Sequence, residues 1–235
     1  MGILGICPMF LSACYTILHL TDYFKEKVMS QEIKVWDPLV RLFHWSLVLF
    51  FVVSYLSGED ESTVHIYAGY IVLGLITFRL LWGFIGTKYA RFSNFVRAPK
   101  DIIRYFKSFL KGSPKHYLGH NPLGGAMIIA LLISLFMVSY TGLKLYAVEE
   151  GLGPLAEGDN ISLISNAYAD SDEQDEGEKH SDKKKGEDFW EELHEFFANF
   201  TVFLIFLHIA GVYVSGYLDK ENLVKAMITG RKKQD

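Results

Sequence analysis

Long apolar segments alternate with charged ones along this chain of 235 residues. Four apolar segments, at residues 39–57, 66–85, 123–147 and 196–217, are each near the length needed to cross the hydrocarbon core of a bilayer as a helix. Half of all residues are apolar, and the mean hydropathy is positive. The pattern predicts an all-α integral membrane protein in which four spanning helices form a bundle.

Charge is distributed unevenly between the connecting segments. Residues 87–121 contain eight lysines and arginines and one acid, and the C-terminal tail is also basic, whereas residues 149–192 are rich in acids. Because loops that remain in the cytoplasm are enriched in Lys and Arg, we expect both termini inside and a long acidic loop outside. The expected divisions are an N-terminal extension (1–28), spans one to three with a basic cytoplasmic loop (29–148), the acidic flexible loop (149–190), and the fourth span with a basic tail (191–235).

Three further segments have distinctive composition. Residues 99–111 alternate apolar and basic positions at helical spacing, which predicts a helix on the inner leaflet or an ordinary solvated helix. Residues 169–186 are polar, acidic and of low complexity, so we expect disorder or ordering only with a partner. The apolar segment 3–20 is open to three interpretations: a fifth span, a signal-like segment, or sequence ahead of a true start at Met29, which we favour. Cys7 and Cys14 lie there outside any C-x-x-C-H motif, so a haem would be held without thioether bonds.

Histidines in the apolar segments carry the candidate chemistry. His194 and His208 are fourteen residues apart, which places them within about 40° of each other around a helix and about 21 Å apart along it. With the predicted orientation, His65 lies at the depth of His194 near the outside, and His44 at the depth of His208 near the inside. Ionisable side chains at such depths are usually functional. Paired imidazoles predict two bis-histidine haems stacked across the membrane and favour electron transfer over oxygen chemistry.

Other interpretations of these residues remain open. Zinc is a weaker alternative, since zinc sites gather three or four ligands at one point. Arg41 and Arg79 lie near the inner boundary, either as partners of haem propionates or as topogenic anchors. His120 is expected to cap the entry to the third span, with propionate binding or proton transfer near a quinone as alternatives. Three glycines near the histidines would either leave room for a haem macrocycle or allow close packing of helices. They are Gly69, Gly74 and Gly211.

Five short motifs give the chain a family resemblance. They are Lys34-Val-Trp-Asp-Pro-Leu-Val-Arg-Leu-Phe-His-Trp45, His65-Ile-Tyr-Ala-Gly-Tyr70, Phe78-Arg-Leu-Leu-Trp-Gly83, Gly119-His-Asn-Pro-Leu-Gly-Gly125 and Asn222-Leu-Val-Lys-Ala-Met-Ile-Thr-Gly230. Over about residues 33–232, apart from the loop insert, the chain resembles the bacterial di-haem cytochrome b family, which includes cytochrome b-561 and the cytochrome b subunit of nickel–iron hydrogenases.

The resemblance implies a function and a ligand set. It implies two non-covalent haem b groups that are bound by histidines of the first, second and fourth spans, and these ligands carry over onto His44, His65, His194 and His208. It also implies electron exchange between membrane quinone and a redox partner at the bacterial inner membrane, among membrane lipids. The acidic loop suggests that this partner is a periplasmic protein with a basic patch, such as a c-type cytochrome, with a hydrogenase or another dehydrogenase as alternatives. No feature of the sequence points to nucleic acid. The alternatives are a self-contained quinone oxidoreductase, a membrane anchor for a periplasmic enzyme, and a transporter, against which the absence of an inverted repeat argues.

Overall fold

The structure, a computed structural model, describes residues 32–58, 62–156 and 176–233. The N-terminal extension with its two cysteines lies outside these residues, as does much of the acidic loop. The elements in chain order are β1 (Glu32–Lys34), α1 (Pro38–Leu56), α2 (Thr63–Ile85), α3 (Phe92–Phe95), α4 (Pro99–Leu110), α5 (Pro122–Glu149), α6 (Glu176–Leu218), α7 (Leu223–Thr229) and β2 (Arg231–Lys233).

Within the residues that the structure describes, four helices are long and apolar enough to cross a membrane, which confirms the four predicted spans. They are Pro38–Leu56, Thr63–Ile85, Pro122–Glu149 and Gly186–Leu218. Between 11% and 28% of the residues in their most apolar windows are buried inside the protein. Many of their large apolar side chains are exposed, as expected where lipid rather than water surrounds the helices.

The last long helix begins earlier than its apolar segment. α6 starts at Glu176, within the stretch 169–186 for which composition predicts no stable structure. Glu and Lys, which are frequent there, are good helix formers. A helix that grows from an existing one also needs no new nucleus, and nucleation is the costly step of helix formation. The long apolar helix therefore accounts for the extension.

The starts of the spans are fixed by capping side chains. Asp37 accepts a hydrogen bond from the Val40 amide at 2.8 Å, and Asn121 accepts one from the Gly124 amide at 2.7 Å. Proline follows each of these residues, at the first helical position where its missing N–H costs nothing. Ser62 caps α2 by accepting from the His65 amide at 3.4 Å. The caps of α1 and α2 define where the helices that bear His44 and His65 begin.

The bundle core holds α1, α2 and α5 together. Its buried members are Phe43, Val72, Ile76, Leu132 and Leu135. Helix α6 packs along α5. The two are joined by a hydrogen bond of 2.7 Å between the buried hydroxyls of Ser134 and Thr201. Because these four helices pack side by side, histidines on different helices are brought to the same depth.

The two ends of the bundle differ in charge and in structure. The basic end comprises residues 32–37, 87–121 and 219–233; the acidic end comprises residues 57–58, 62 and 150–156 and the part of α6 from Gly186 to His194. At the basic end β1 and β2 form an antiparallel ribbon, with Ile33 opposite Lys232. The buried Lys232 ammonium lies 2.7 Å from a Glu221 carboxylate oxygen, which attaches the tail to the end of α6.

Candidate functional site

At the acidic end, the structure brings His65 of α2 and His194 of α6 together. Their ring centroids are 6.0 Å apart, and the two rings are nearly perpendicular. One metal ion bound to an imidazole nitrogen of each ring at about 2.0 Å would hold the ring centroids about 6 Å apart. The separation therefore fits a single iron between the two rings.

Both rings are oriented by backbone carbonyls of neighbouring helices. His65 Nδ1 lies 2.8 Å from the Ser54 carbonyl oxygen on α1, and His194 Nδ1 lies 3.1 Å from the Val138 carbonyl oxygen on α5. A carbonyl oxygen only accepts, so each Nδ1 carries the proton and donates it. The lone pair is then on Nε2 in both rings, which is the nitrogen left for a metal.

Two small residues of α5 shape the position of His194. The Thr141 hydroxyl lies 3.1 Å from His194 Nδ1 and gives that nitrogen a second polar neighbour. Gly142 lies against the ring itself, since a Cβ built there would be 2.9 Å from the imidazole Cε1. A side chain at this position would push the ring away, so glycine allows His194 to reach its place beside His65.

Nearer the basic end, His44 of α1 and His208 of α6 form the second candidate pair. The two side chains are close enough to interact electrostatically. His44 Nδ1 is buried and has no hydrogen-bond partner among the described residues. The ring of Trp45 contacts His44 edge-on, at 5.1 Å between centroids. Neighbouring helices therefore do not determine which ring nitrogen of His44 carries the proton, whereas they do so for His65 and His194.

Arg41 and Arg79 both present buried donors and contact the basic end of the bundle. The Arg79 guanidinium is buried, donates from Nη2 to the Ala90 carbonyl at 3.1 Å and lies over the Phe92 ring at 5.1 Å. Arg41 donates from Nη1 to the Thr229 carbonyl at 3.0 Å. Arg79 Nη1 and Arg41 Nε are buried and lack a hydrogen-bond partner among the described residues. An unpaired buried donor costs about 1–3 kcal/mol, so both arginines fit an anionic group such as a propionate.

A buried carboxylate that the sequence analysis did not single out organises the basic end. Asp37 accepts hydrogen bonds from the Thr87 hydroxyl at 2.6 Å and from the Trp82 indole N–H at 3.3 Å, besides capping α1. Burial raises the pKa of Asp37, but the hydrogen bonds from Thr87, Val40 and Trp82 outweigh it and bring the pKa below its ordinary value. The resulting anion interacts favourably with Arg79.

His120 does not cap α5, contrary to our expectation, because the neighbouring Asn121 side chain does so. Its ring instead contacts Trp36, with centroids 4.4 Å apart, and Phe95, with centroids 5.0 Å apart. Burial lowers the pKa of His120 to about 3, with further contributions from the positive charges of Arg79 and Lys232 and from His208. His120 is therefore neutral near pH 7.

This pKa predicts that acid destabilises the protein through His120. Its pKa is about 3 when folded and about 6.5 when unfolded, so below pH 6.5 the unfolded chain takes up a proton that the folded chain does not. Stability is lost as the pH falls from about 6.5 towards 3, by at most about 1.4 kcal/mol per pH unit. Thermal unfolding of the detergent-solubilised protein between pH 6.5 and pH 4.5 is expected to show a shallower pH dependence in His120→Gln. His116→Gln, on the same segment, is the control; equal slopes in wild type and His120→Gln would contradict the assignment.

Within the described ranges, no group of three or more His, Cys, Asp or Glu side chains is placed to hold a metal ion. The histidines come as pairs, and nothing in those ranges favours the zinc alternative. Gly69, Gly74 and Gly211 have open space around them, since a Cβ there would meet nothing within 4 Å. This space is compatible with a macrocycle or with lipid. Gly142 on α5 lies against the His194 ring of α6, and a glycine on another helix cannot be found by looking for glycines near a histidine in the sequence.

The described residues define a class of protein: a helical membrane protein with four candidate spans in those ranges and with histidines of different helices close together at two depths. The model of the prokaryotic cytochrome b561 family matches residues 35–230, and the chain belongs to this family. A b-type cytochrome binds haem b, and the protein is accordingly a haem-binding electron-transport protein with several spans in the bacterial inner membrane. No solved structure matches the chain.

Several curated relatives are probable Ni/Fe-hydrogenase B-type cytochrome subunits. The one from Azotobacter vinelandii is 31% identical over 159 residues, which cover 55% of this chain and 65% of the relative. The one from Azotobacter chroococcum is 31% identical over 167 residues, covering 58% and 68%. The hydrogenase 1 subunit from Escherichia coli K12 is 30% identical over 142 residues, covering 48% and 60%. The chain thus spans about two thirds or less of the length of these relatives.

Proposed function

We propose that this protein carries electrons across the inner membrane between quinone and a periplasmic redox partner, through two haem b groups. The observation that carries the proposal is the His65/His194 pair, in which helices α1 and α5 hold both Nδ1 protons and leave both Nε2 atoms for iron. Bound at that position, the haem would supply reversible one-electron oxidation and reduction of its iron. Two neutral imidazoles would leave that iron no open position for oxygen.

In this proposal His44 and His208 bind the second haem, nearer the basic end. The unpaired donors of Arg41 and Arg79 would hold its propionates and oppose their negative charge. Their protein contacts leave these atoms directed into buried space, and a topogenic arginine would need no such burial. The basic end faces the cytoplasm under the positive-inside rule, so the two haems form a path from one side of the membrane to the other.

The quinone site is proposed at the basic end, beside His120 and Arg79. His120 is neutral, has a buried Nδ1 without a hydrogen-bond partner among the described residues, and lies between two aromatic rings. A neutral imidazole can donate a hydrogen bond from its N–H to a quinone oxygen at neutral pH. Electron exchange with a quinone there would then be accompanied by proton exchange on the cytoplasmic side.

A hydrogenase is the partner that we favour, because the relatives described above are probable hydrogenase cytochrome subunits. The acidic end of the bundle supports a partner with a basic surface, since complementary charge speeds encounter. A c-type cytochrome is the second candidate on the same ground. Co-purification of the full chain with each candidate, with and without residues 169–186, tests the partner and the role of that segment. Unchanged binding after the deletion would exclude the segment as the docking site.

Reduced-minus-oxidised absorbance spectra of the purified protein test the proposal directly. We expect the spectrum of low-spin b-type haem, with two components resolved in a potentiometric titration. A protein that anchors a periplasmic enzyme without carrying electrons would keep its haem yet fail to reduce quinone when the partner is reduced. A self-contained quinone oxidoreductase would reduce quinone with a small electron donor and no partner protein. A single haem component would contradict the proposed pair of sites.

A further inference from the structure

Helix α4 is divided lengthwise into three stripes. Successive residues of a helix are rotated by about 100°, so positions three and four apart share a face. One stripe packs against the protein and contains Tyr105, which is buried, together with the partly buried Ile102 and Phe109. The other two stripes are exposed and differ from each other in chemistry.

The first exposed stripe is apolar. Its members are Ile103, Phe106 and Leu110, whose exposed fractions are 55%, 46% and 69%. The second is basic and lies about a quarter turn away around the helix. It consists of Lys100, Arg104, Lys107 and the C-cap residue Lys111, all of them exposed. We call these the apolar stripe and the basic stripe of α4.

Contacts of Tyr105 place α4 at the level where two spans end. Its ring lies 5.8 Å from that of Tyr117, and it hydrogen-bonds to Asn121, the N-cap of α5. It also interacts electrostatically with Asp219, the residue after the end of α6. Burial, with smaller contributions from Asp219 and Tyr117, raises the pKa of Tyr105 to about 12 although the hydrogen bond to Asn121 opposes the shift, so Tyr105 stays neutral. The helix is thereby attached beside the start of one span and the end of another.

Because α4 lies where two spans end, its exposed stripes lie at the edge of the membrane, and this limits what can cover them. An apolar stripe at the edge of the hydrocarbon meets lipid tails, and a basic stripe beside it meets headgroups. Lysine and arginine can lie along apolar surface while their charges reach the phosphates. Charge complementarity favours anionic headgroups, which attract basic residues near the membrane surface.

We propose that α4 is a binding surface for anionic phospholipid at the basic end of the bundle, with the apolar stripe among the acyl chains and the basic stripe on the headgroup phosphates. The surface belongs to the same bundle end as His120 and Arg79, yet the inference needs no haem or quinone. It needs only that the four spans lie in a membrane. Lipid bound there would fix the position of α4. Through Tyr105 it would also fix the start of α5 and the end of α6.

The test uses the full chain reconstituted in phosphatidylcholine bilayers with a trace of spin-labelled phosphatidylglycerol or spin-labelled phosphatidylcholine. The motionally restricted fraction of each label gives the preference for the anionic lipid. The variant Lys100→Gln/Arg104→Gln/Lys107→Gln/Lys111→Gln is expected to lower this preference several-fold. The matched control removes three lysines and one arginine, also exposed, from the same bundle end outside α4: Lys88→Gln/Arg97→Gln/Lys115→Gln/Lys225→Gln.

The control is expected to keep most of the preference, and its haem spectrum and that of the variant verify folding. Equal losses in both would show a diffuse attraction to the whole basic end and would overturn the proposal. An unchanged preference in both would also overturn the proposal, and a protein partner would then be the candidate that covers the stripes. A third variant, Ile103→Asn/Phe106→Asn/Leu110→Asn, keeps every charge and is expected to weaken the preference. If it does not, the apolar stripe is not in the membrane.

Discussion

His194→Ala is expected to remove one of two b-type haems and leave the other spectroscopically intact. The reason is that His194 and His65 approach each other across the bundle, while His44 and His208 are associated nearer the basic end. His65→Ala should therefore lose the same component as His194→Ala. His44→Ala and His208→Ala should both lose the other. Potentiometric titration of the absorbance change in each variant identifies the component that has disappeared.

The four variants together test the pairing as well as the ligands. His116→Ala, at the basic end but outside the spans, is a control that should retain both components. Loss of both haems in every variant would indicate a general failure of assembly and give no support to two separate sites. A different loss in each of the four would contradict the pairing. The expected pattern is two pairs of identical phenotypes.

The spans could be predicted from the sequence because hydropathy depends on composition alone. The second predicted span, 66–85, ends at the same residue as α2 and starts three residues late. Ser62, a capping residue that hydropathy ignores, sets the true start. The fourth span was predicted at 196–217, whereas α6 runs from Glu176 to Leu218. Its polar first part is continuous with an apolar helix, and helix continuity is invisible to an apolar window.

The partners of the histidines could not be predicted in the same way. His65 and His194 were chosen from their depth, which follows from spacing along a helix. The groups that orient them are carbonyl oxygens of Ser54 and Val138, on helices adjacent in space. Every residue has a carbonyl oxygen, so no side-chain pattern marks these two. Such contacts depend on how the helices pack.

At the basic end, too, a contact between two sequence motifs could not be predicted from the motifs themselves. Trp82 and Asp37 belong to two of the motifs that carry the family resemblance. In the structure the Trp82 indole donates to the Asp37 carboxylate, and Thr87 donates to the same oxygen. Trp82 and Asp37 are forty-five residues apart in the chain. Their joint role is to fix the start of α1, six residues before His44, against the end of α2.

Gly142→Val is expected to remove the haem at the acidic end and spare the other. Even the first added carbon would lie 2.9 Å from His194 Cε1, and valine adds two more. Overpacking of this kind typically costs about 1–3 kcal/mol, which is small for a bundle of four long helices. We therefore expect the imidazole to move and the helices to stay packed, so that His194 loses its hydrogen bond to the Val138 carbonyl.

The remaining haem makes this prediction internally controlled. A variant that keeps the His44/His208 component has folded, and its missing component is then assigned to displacement of His194. Gly142→Ala should give partial loss, because one carbon can be accommodated by a small rotation of the ring. Ala147→Val adds two carbons to the same helix at a partly exposed position and should keep both haems. Retention of both components in Gly142→Val would mean that iron binding does not require His194 to occupy the position seen beside His65.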